Sequence, residues 1–413
     1  MNEMAHQDLV AFFLRTGVML AAALLCGQLM RRVHQPRVLG ELVAGIFLGP
    51  TVFGALFPRL SAALLPASSS VIAAQDIMLQ IGMLFFLFVA GLEVNLPHLR
   101  RNSRAVILTS VAGITIPFAL GAAAVLLFPR LWGPQATTSG ITFVLFIGAA
   151  LSISALPVIA RIFMDLNLLN QPIGGIVLAA ATVNDLIGWA LFTVVLGQFV
   201  PASASHGIGV TLLLLVLFTI TVLALGRYVG GPILHWLRRT LAWPSGFISV
   251  TAVLILLGAA IAEGIGIHAI FGAFLVGVAL GQVVEKENEA HDVIYQFAVS
   301  FFAPLYFVSV GLKADFAANF DVGLVLFVLA VATVGKIAGS SLGARLGGMS
   351  GREALAIGVG MNARGAMEMI LATVALDYGI IDERLFVALV TMALVTSFLS
   401  GPILPRLLAR PQP

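Results

Sequence analysis

One carboxylate stands where a carboxylate is expensive. Asp185 falls in Thr182-Val-Asn-Asp-Leu-Ile-Gly-Trp189, in the middle of an apolar run over residues 172–198. A charged side chain at the centre of a bilayer costs at least ~2.5–3.5 kcal/mol. The group must therefore be neutralised by a proton, by a bound cation or by a neighbouring helix. A carboxyl group neutralised in turn by a proton and a cation is an ion and proton site. Thr182 lies three residues earlier on the same helical face, and Asn184 adds an amide oxygen beside it. In Gly148-Ala-Ala-Leu-Ser-Ile-Ser-Ala-Leu-Pro157 the proline supplies no N–H, which frees the carbonyl of Ile153. Ser152, Ser154 and that carbonyl could complete an oxygen cage, with Asp185 as the metal ligand of a monovalent cation.

Other charges lie equally deep. Lys336 sits in Gly335-Lys-Ile-Ala-Gly339-Ser-Ser-Leu-Gly343-Ala-Arg-Leu-Gly347. Glycines at four-residue spacing give a smooth face for close helix approach, whereas Lys336 has to pair or meet polar backbone. Arg364 precedes Glu368 by four residues, the spacing of an ion pair within one helix. The alternative is that Lys336 and Arg364 compensate helix ends and carboxylates in the core. Glu41 and Glu263 fall near span ends and are candidates for ion access or pH response. His268 reads either as a pH sensor or as a helix-start histidine. There is no His-Glu-x-x-His, no Walker A sequence and no Gly-x-Gly-x-x-Gly after a strand. An intramembrane zinc protease and an ATP-driven pump are thus unsupported, and no cofactor is expected.

The rest of the chain explains how such groups come to lie in apolar runs. Of 413 residues, 60% are apolar and 10% charged, with a mean hydropathy of +1.07, against roughly 25% charged in soluble domains. This excludes soluble enzymes, nucleic-acid binders, disulfide scaffolds and disordered chains; the partner is the lipid bilayer. The single cysteine, Cys26, allows no internal disulfide. No Lys or Arg precedes Arg15, so the first segment reads as a retained span rather than a signal peptide. Apolar runs of the ~20 residues needed to cross fall near 8–30, 38–57, 74–92, 105–128, 139–163, 172–198, 208–228, 246–262, 266–284, 291–312, 322–345, 353–377 and 384–408. With these thirteen spans, 15 basic residues fall on one side and four on the other (Arg59, Arg130, Lys313 and Arg384). By the positive-inside rule the N-terminus lies outside and the C-terminus in the cytosol.

Two stretches recur. Phe88-Val-Ala-Gly-Leu-Glu-Val-Asn-Leu echoes Val308-Ser-Val-Gly-Leu-Lys-Ala-Asp-Phe, and Leu42-Val-Ala-Gly-Ile-Phe-Leu-Gly resembles Ile270-Phe-Gly-Ala-Phe-Leu-Val-Gly. Both are displaced by seven spans, an odd number, so the copies run in opposite directions. The same displacement relates the Pro157 stretch to Gly358-Val-Gly-Met-Asn-Ala-Arg-Gly365, a second broken segment. Inverted repeats with matched interruptions are a transporter signature, with the substrate site near the midplane. Unwound backbone at that depth has to line a cavity or be packed in protein.

Taken in order, these motifs resemble the monovalent cation:proton antiporters, in particular the second branch with Kef-type potassium efflux proteins and plant cation/proton exchangers. The resemblance rests on Leu39-Gly-Glu-Leu-Val-Ala-Gly-Ile-Phe-Leu-Gly-Pro50, Phe88-Val-Ala-Gly-Leu-Glu93, Ala155-Leu-Pro-Val-Ile-Ala-Arg161, Val183-Asn-Asp185, Gly266-Ile-His-Ala-Ile-Phe-Gly-Ala-Phe274 and Gly360-Met-Asn-Ala-Arg-Gly365. It implies an all-α membrane protein of about 13 helices with an NhaA-like inverted-repeat fold. A dimerisation domain and a core domain with two crossed broken helices (the fifth and twelfth spans) are expected, in a homodimer. The repeats cover roughly 8–198 and 246–408, and residues 1–413 read as a single transmembrane exchanger domain without a soluble regulatory domain. Asp185 is implied to bind cation and proton alternately, with Lys336 and Arg364 at basic core positions. Electrogenic relatives carry two consecutive aspartates; Asn184 in the first position leans toward electroneutral exchange, although Lys336 could carry a second proton. Relatives with an acidic residue one turn before the Asn find Ala180 here, which leaves the partner of Arg364 open.

The expectation is a secondary transporter, not an enzyme, exchanging Na⁺ or K⁺ for H⁺ across the cell membrane (in bacteria, the inner membrane) for pH and cation homeostasis. A Kef-like potassium efflux path would instead show flux without proton movement. A sodium-coupled organic-anion symporter on a related fold would show sodium-dependent uptake of an organic acid. The latter fits poorly with Lys336, Arg364 and the Asn-Asp pair.

Overall fold

A computed structural model describes residues 6–33, 35–93, 103–138, 140–166, 168, 171–196, 208–240, 245–282 and 289–408. Every regular element among them is helical: α1 (His6–Arg32), α2 (Arg37–Leu48), α3 (Pro58–Leu64), α4 (Ser69–Leu92), α5 (Ser103–Leu127), α6 (Gln135–Thr138), α7 (Gly140–Ser152), α8 (Leu156–Asp165), α9 (Pro172–Leu196) and α10 (Ile208–Thr240). There follow α11 (Ser245–Gly264), α12 (Ala269–Gly281), α13 (Glu289–Phe297), α14 (Ala303–Lys313), α15 (Phe316–Asn319), α16 (Val322–Leu346), α17 (Gly351–Met361), α18 (Ala366–Asp377) and α19 (Glu383–Leu408). π-helical turns at Pro50–Gly54 and Ala298–Phe302 extend α2 and join α13 to α14.

Ten helical segments of the described residues are long and apolar enough to cross a membrane. The other three expected spans are not single long helices, each for a local reason. The ninth, α12, has only 13 residues and is buried from Ile270 to Ala279. A helix apolar all round is a core helix, so it need not match the bilayer by itself. The fifth is interrupted between α7 and α8, and Pro157 stands in the first turn of α8, where a missing N–H costs little. The proline therefore starts a helix rather than kinking one. The twelfth is interrupted at residues 362–365, between α17 and α18.

The chain divides into two compact units, residues 1–29, 40–94 and 200–313 in the first and 30–39, 95–199 and 314–413 in the second. In the first, glycines bring helices to backbone contact. A Cβ on Gly91 of α4 would run into the Phe274 carbonyl of α12, and one on Gly277 into the Phe88 carbonyl. The same reciprocal pair joins α2 to α14: Gly45 meets the Val308 carbonyl, and Gly311 the Leu42 carbonyl. Gly281 then rests on Leu92, as Gly49 rests on Leu312. These contacts match Leu42-Val-Ala-Gly45 with Phe274-Leu-Val-Gly277.

In the second unit the glycine stripe of α16 faces α5. Gly335, Gly339, Gly343 and Gly347 abut Pro117, Ala112, Leu108 and Ala105 respectively. Lipid provides no hydrophobic drive between helices, so close packing of small residues carries such an interface. This pair and α7, α9 and α17 around it hold the two helix breaks.

Candidate functional site

The site is assembled where the two breaks meet. Ser154 Oγ donates to the Met361 carbonyl at 2.8 Å, and the Ala155 N–H donates to the Ala363 carbonyl at 3.3 Å. Each break thereby satisfies backbone groups that the other leaves over, as burial demands. Fully buried α9 residues complete the site: Asn184 is 0% and Asp185 1% exposed. Neither carboxylate oxygen of Asp185, and neither side-chain atom of Asn184, makes a hydrogen bond to protein. The Lys336 ammonium acts on the Asp185 carboxylate through space, and the backbone N–H of Leu156, the first residue of α8, approaches it outside hydrogen-bond geometry.

The cations sit at the opposite polarity. The C-terminal carbonyls of α7 are left over by its own ladder and carry the negative end of its dipole. Arg364 donates to the Ala150 and Leu151 carbonyls at 3.1 and 2.6 Å, and Lys336 to the Ser152 carbonyl. Lys336 also reaches the Gly113 carbonyl of α5 at 2.9 Å. Arg364 pairs with Glu368 at 3.0 Å, one turn along the chain, both residues being buried. The open question of its partner is therefore answered twice: Arg364, in the break itself, is braced to Glu368 in the first turn of α18 rather than within one helix, and it caps the end of α7. The Arg364 backbone carbonyl accepts the Ser397 hydroxyl of α19.

The expected oxygen cage is only partly free. Thr182, Ser152, Ser154 and Ile153 are all buried. Ser152 Oγ, however, turns back to the Ala149 carbonyl at 2.9 Å, and Ser154 Oγ is used between the breaks. Ile153, Asp185, Trp189, Met367 and Leu371 line a narrow crevice with no room for a water molecule. It is apolar apart from Asp185, and the Trp189 indole N–H closes it on Met367 Sδ at 3.2 Å. Glu41 and Glu263 belong to the first compact unit, not to this cluster. Glu41 is buried, and Glu263 accepts the Ala269 N–H at 2.8 Å at the start of α12. His268 is the helix-start residue there, its Nδ1 accepting from the Ile270 N–H at 3.3 Å.

Three residues near the site were not singled out by sequence. Trp189 follows Asp185 by one helical turn within the motif, and that spacing could have drawn attention to it. Asn362 lies inside the glycine-rich break, where it reads as a breaker. Met367 carried no signal distinguishing it from core.

Comparison with known proteins follows the same lines. The family described as sodium/hydrogen exchanger, transmembrane, matches residues 20–410. The chain is 34% identical over 399 residues to the Na(+)/H(+) antiporter NhaS4 of Synechocystis, covering 95% of this chain and 96% of that one. It is 33% identical to Cation/H(+) antiporter 18 of Arabidopsis thaliana over 91% of its own length, but spans only 46% of that relative. The sodium proton antiporter MjNhaP1 from Methanocaldococcus jannaschii at pH 8 shares the fold, with a TM-score of 0.66 at 19% identity and 96% of each chain covered. With a family match that takes in both helix breaks and the buried Asn-Asp pair between them, the chain is a multi-pass membrane protein of the sodium/hydrogen exchanger family.

Proposed function

We propose that the protein is a secondary antiporter that exchanges Na⁺ or K⁺ for H⁺ at Asp185. The observation that carries this reading is a fully buried carboxylate with no protein hydrogen bond, beside two broken helices. Bare, it is costly at membrane depth; a proton or a cation relieves the cost equally, and the two compete for it. The empty, charged site then crosses least readily, which couples the two flows. Asn184, Thr182, Ser154 and the Ile153 backbone supply further oxygens, and Lys336, Arg364 and Glu368 hold the broken helices in place. The names of the relatives support this chemistry.

The reciprocal glycine contacts Gly91–Gly277 and Gly311–Gly45 support inverted repeats over roughly 8–198 and 246–408. On that reading the chain crosses thirteen times, α7–α8 and α17–α18 being the crossed broken helices and α12 one passage. The N-terminus is outside and the C-terminus in the cytosol of a cell-membrane protein that acts as a homodimer in pH and cation homeostasis. Asn184 in place of a second aspartate supports electroneutral exchange, as does the commitment of Lys336 to two carbonyls.

The test is collapse of a dye-reported pH gradient in proteoliposomes, with Na⁺, K⁺ or Li⁺ added in turn, with and without an imposed membrane potential. Each net charge moved would feel ~2.3 kcal/mol per 100 mV. Cation-dependent collapse insensitive to potential is expected; collapse that needs no cation overturns the antiport reading.

A further inference from the structure

The two broken helices end differently. The carbonyls at the C-terminus of α7 receive a guanidinium and an ammonium. At the C-terminus of α17 the donors among the described residues are all neutral. Val359 O accepts from the Asn362 N–H and the Ser400 hydroxyl, Gly360 O from the Ala363 N–H, and Met361 O from the Ser154 hydroxyl. Among the described residues, the negative end of one dipole is met by protein cations and that of the other by neutral donors alone.

Asn362 is the residue immediately after α17. It is 5% exposed, and its side-chain oxygen accepts no hydrogen bond. Buried acceptors are nearly always satisfied, so such an oxygen asks for a partner. Its chain neighbours Met361 and Ala363 are bonded to Ser154 and Ala155, and Ile153, which precedes Ser154, packs in the space beside Asp185. Here, then, a helix end met only by neutral donors among the described residues, an unpartnered carboxamide oxygen and an unpartnered carboxylate lie along the same pair of breaks, joined through residues 153–155. All are acceptors, and a cation is the ligand that serves all three.

We propose that Asn362 supplies a side-chain oxygen to the transported monovalent cation, so that the ion is shared between the Asp185 carboxylate and the carbonyl end of α17. This rests on the antiport reading of Asp185. The experiment compares Asn362→Leu, which removes the oxygen, with Asn362→Ser, which keeps one. The apparent KM for Na⁺ and K⁺ is measured in proteoliposomes, together with the thermal stabilisation of the purified protein by each cation. Asn362→Leu is expected to raise KM about tenfold or more, leave the maximal rate within twofold and lose the cation-induced stabilisation. Asn362→Ser should retain both. Unchanged KM in Asn362→Leu, or an equal loss in both variants, overturns the proposal. Should the leucine variant not fold, Asn362→Ala takes its place with the same outcomes. If the unmodified protein shows no cation-dependent exchange, it is the antiport reading that fails; exchange with unchanged KM in the variant removes Asn362 alone.

Discussion

Replacing Arg364 with leucine would remove four contacts at once: the ion pair to Glu368 at 3.0 Å, the bonds to the Ala150 and Leu151 carbonyls at 3.1 and 2.6 Å, and a longer one to the Ala332 carbonyl at 3.5 Å. Breaking a buried pair by deleting one partner costs ~3–5 kcal/mol, because the other charge stays buried and uncompensated. Each carbonyl left without a donor adds ~1–3 kcal/mol. These terms overlap, and a loss of about 5 kcal/mol is expected for Arg364→Leu. Glu368→Gln removes the carboxylate but leaves the three carbonyl bonds of Arg364, so about 1–2 kcal/mol is expected. The double variant Arg364→Leu/Glu368→Gln no longer buries an unpaired charge. It should recover about 2 kcal/mol relative to Arg364→Leu, on the same desolvation argument. Unfolding in mixed micelles by denaturing detergent gives all three differences on one scale. A double variant no more stable than Arg364→Leu would refute the reasoning, since it would mean that the Glu368 charge was never held by Arg364.

Two further predictions concern packing. Gly343→Ala places a methyl group against the Leu108 carbonyl of α5, backbone that cannot swing aside, and should cost ~1–3 kcal/mol; Gly351→Ala, with open space around it, should change stability by less than ~0.5 kcal/mol in the same unfolding assay. Met367→Ala removes the acceptor of the Trp189 indole and opens the closed crevice beside Asp185, so cation-free proteoliposomes should lose a pH gradient faster. Met367→Leu, of similar volume, should stay tight; equal tightness of the alanine variant would contradict the seal.

How much of this was legible in the chain follows from the physics of each residue. The misplaced charges Asp185, Lys336 and Arg364 were visible because lipid makes any charge conspicuous, and all three are buried in the second unit. Both breaks were visible as Pro157 and the Gly358–Gly365 stretch, although the proline proved to begin α8. The glycine stripe of α16 was legible as packing, and α5 is what it packs on. What periodicity does not carry is which acceptor a long side chain finds. Lys336 could have met a carboxylate, yet its bonds go to the carbonyls of Gly113 and Ser152. Nor does sequence tell a helix-breaking asparagine from one with a buried oxygen, because that depends on how α17 is met by Ser154 and Ser400 from distant parts of the chain.

The central claim is that one carboxylate binds proton and cation in turn. Cation-driven proton flux by Asp185→Asn in proteoliposomes tests it most directly, with folding checked by the thermal transition. The asparagine is neutral in every state, so the account predicts a folded protein with no cation-dependent proton movement. Exchange retained in Asp185→Asn would contradict it.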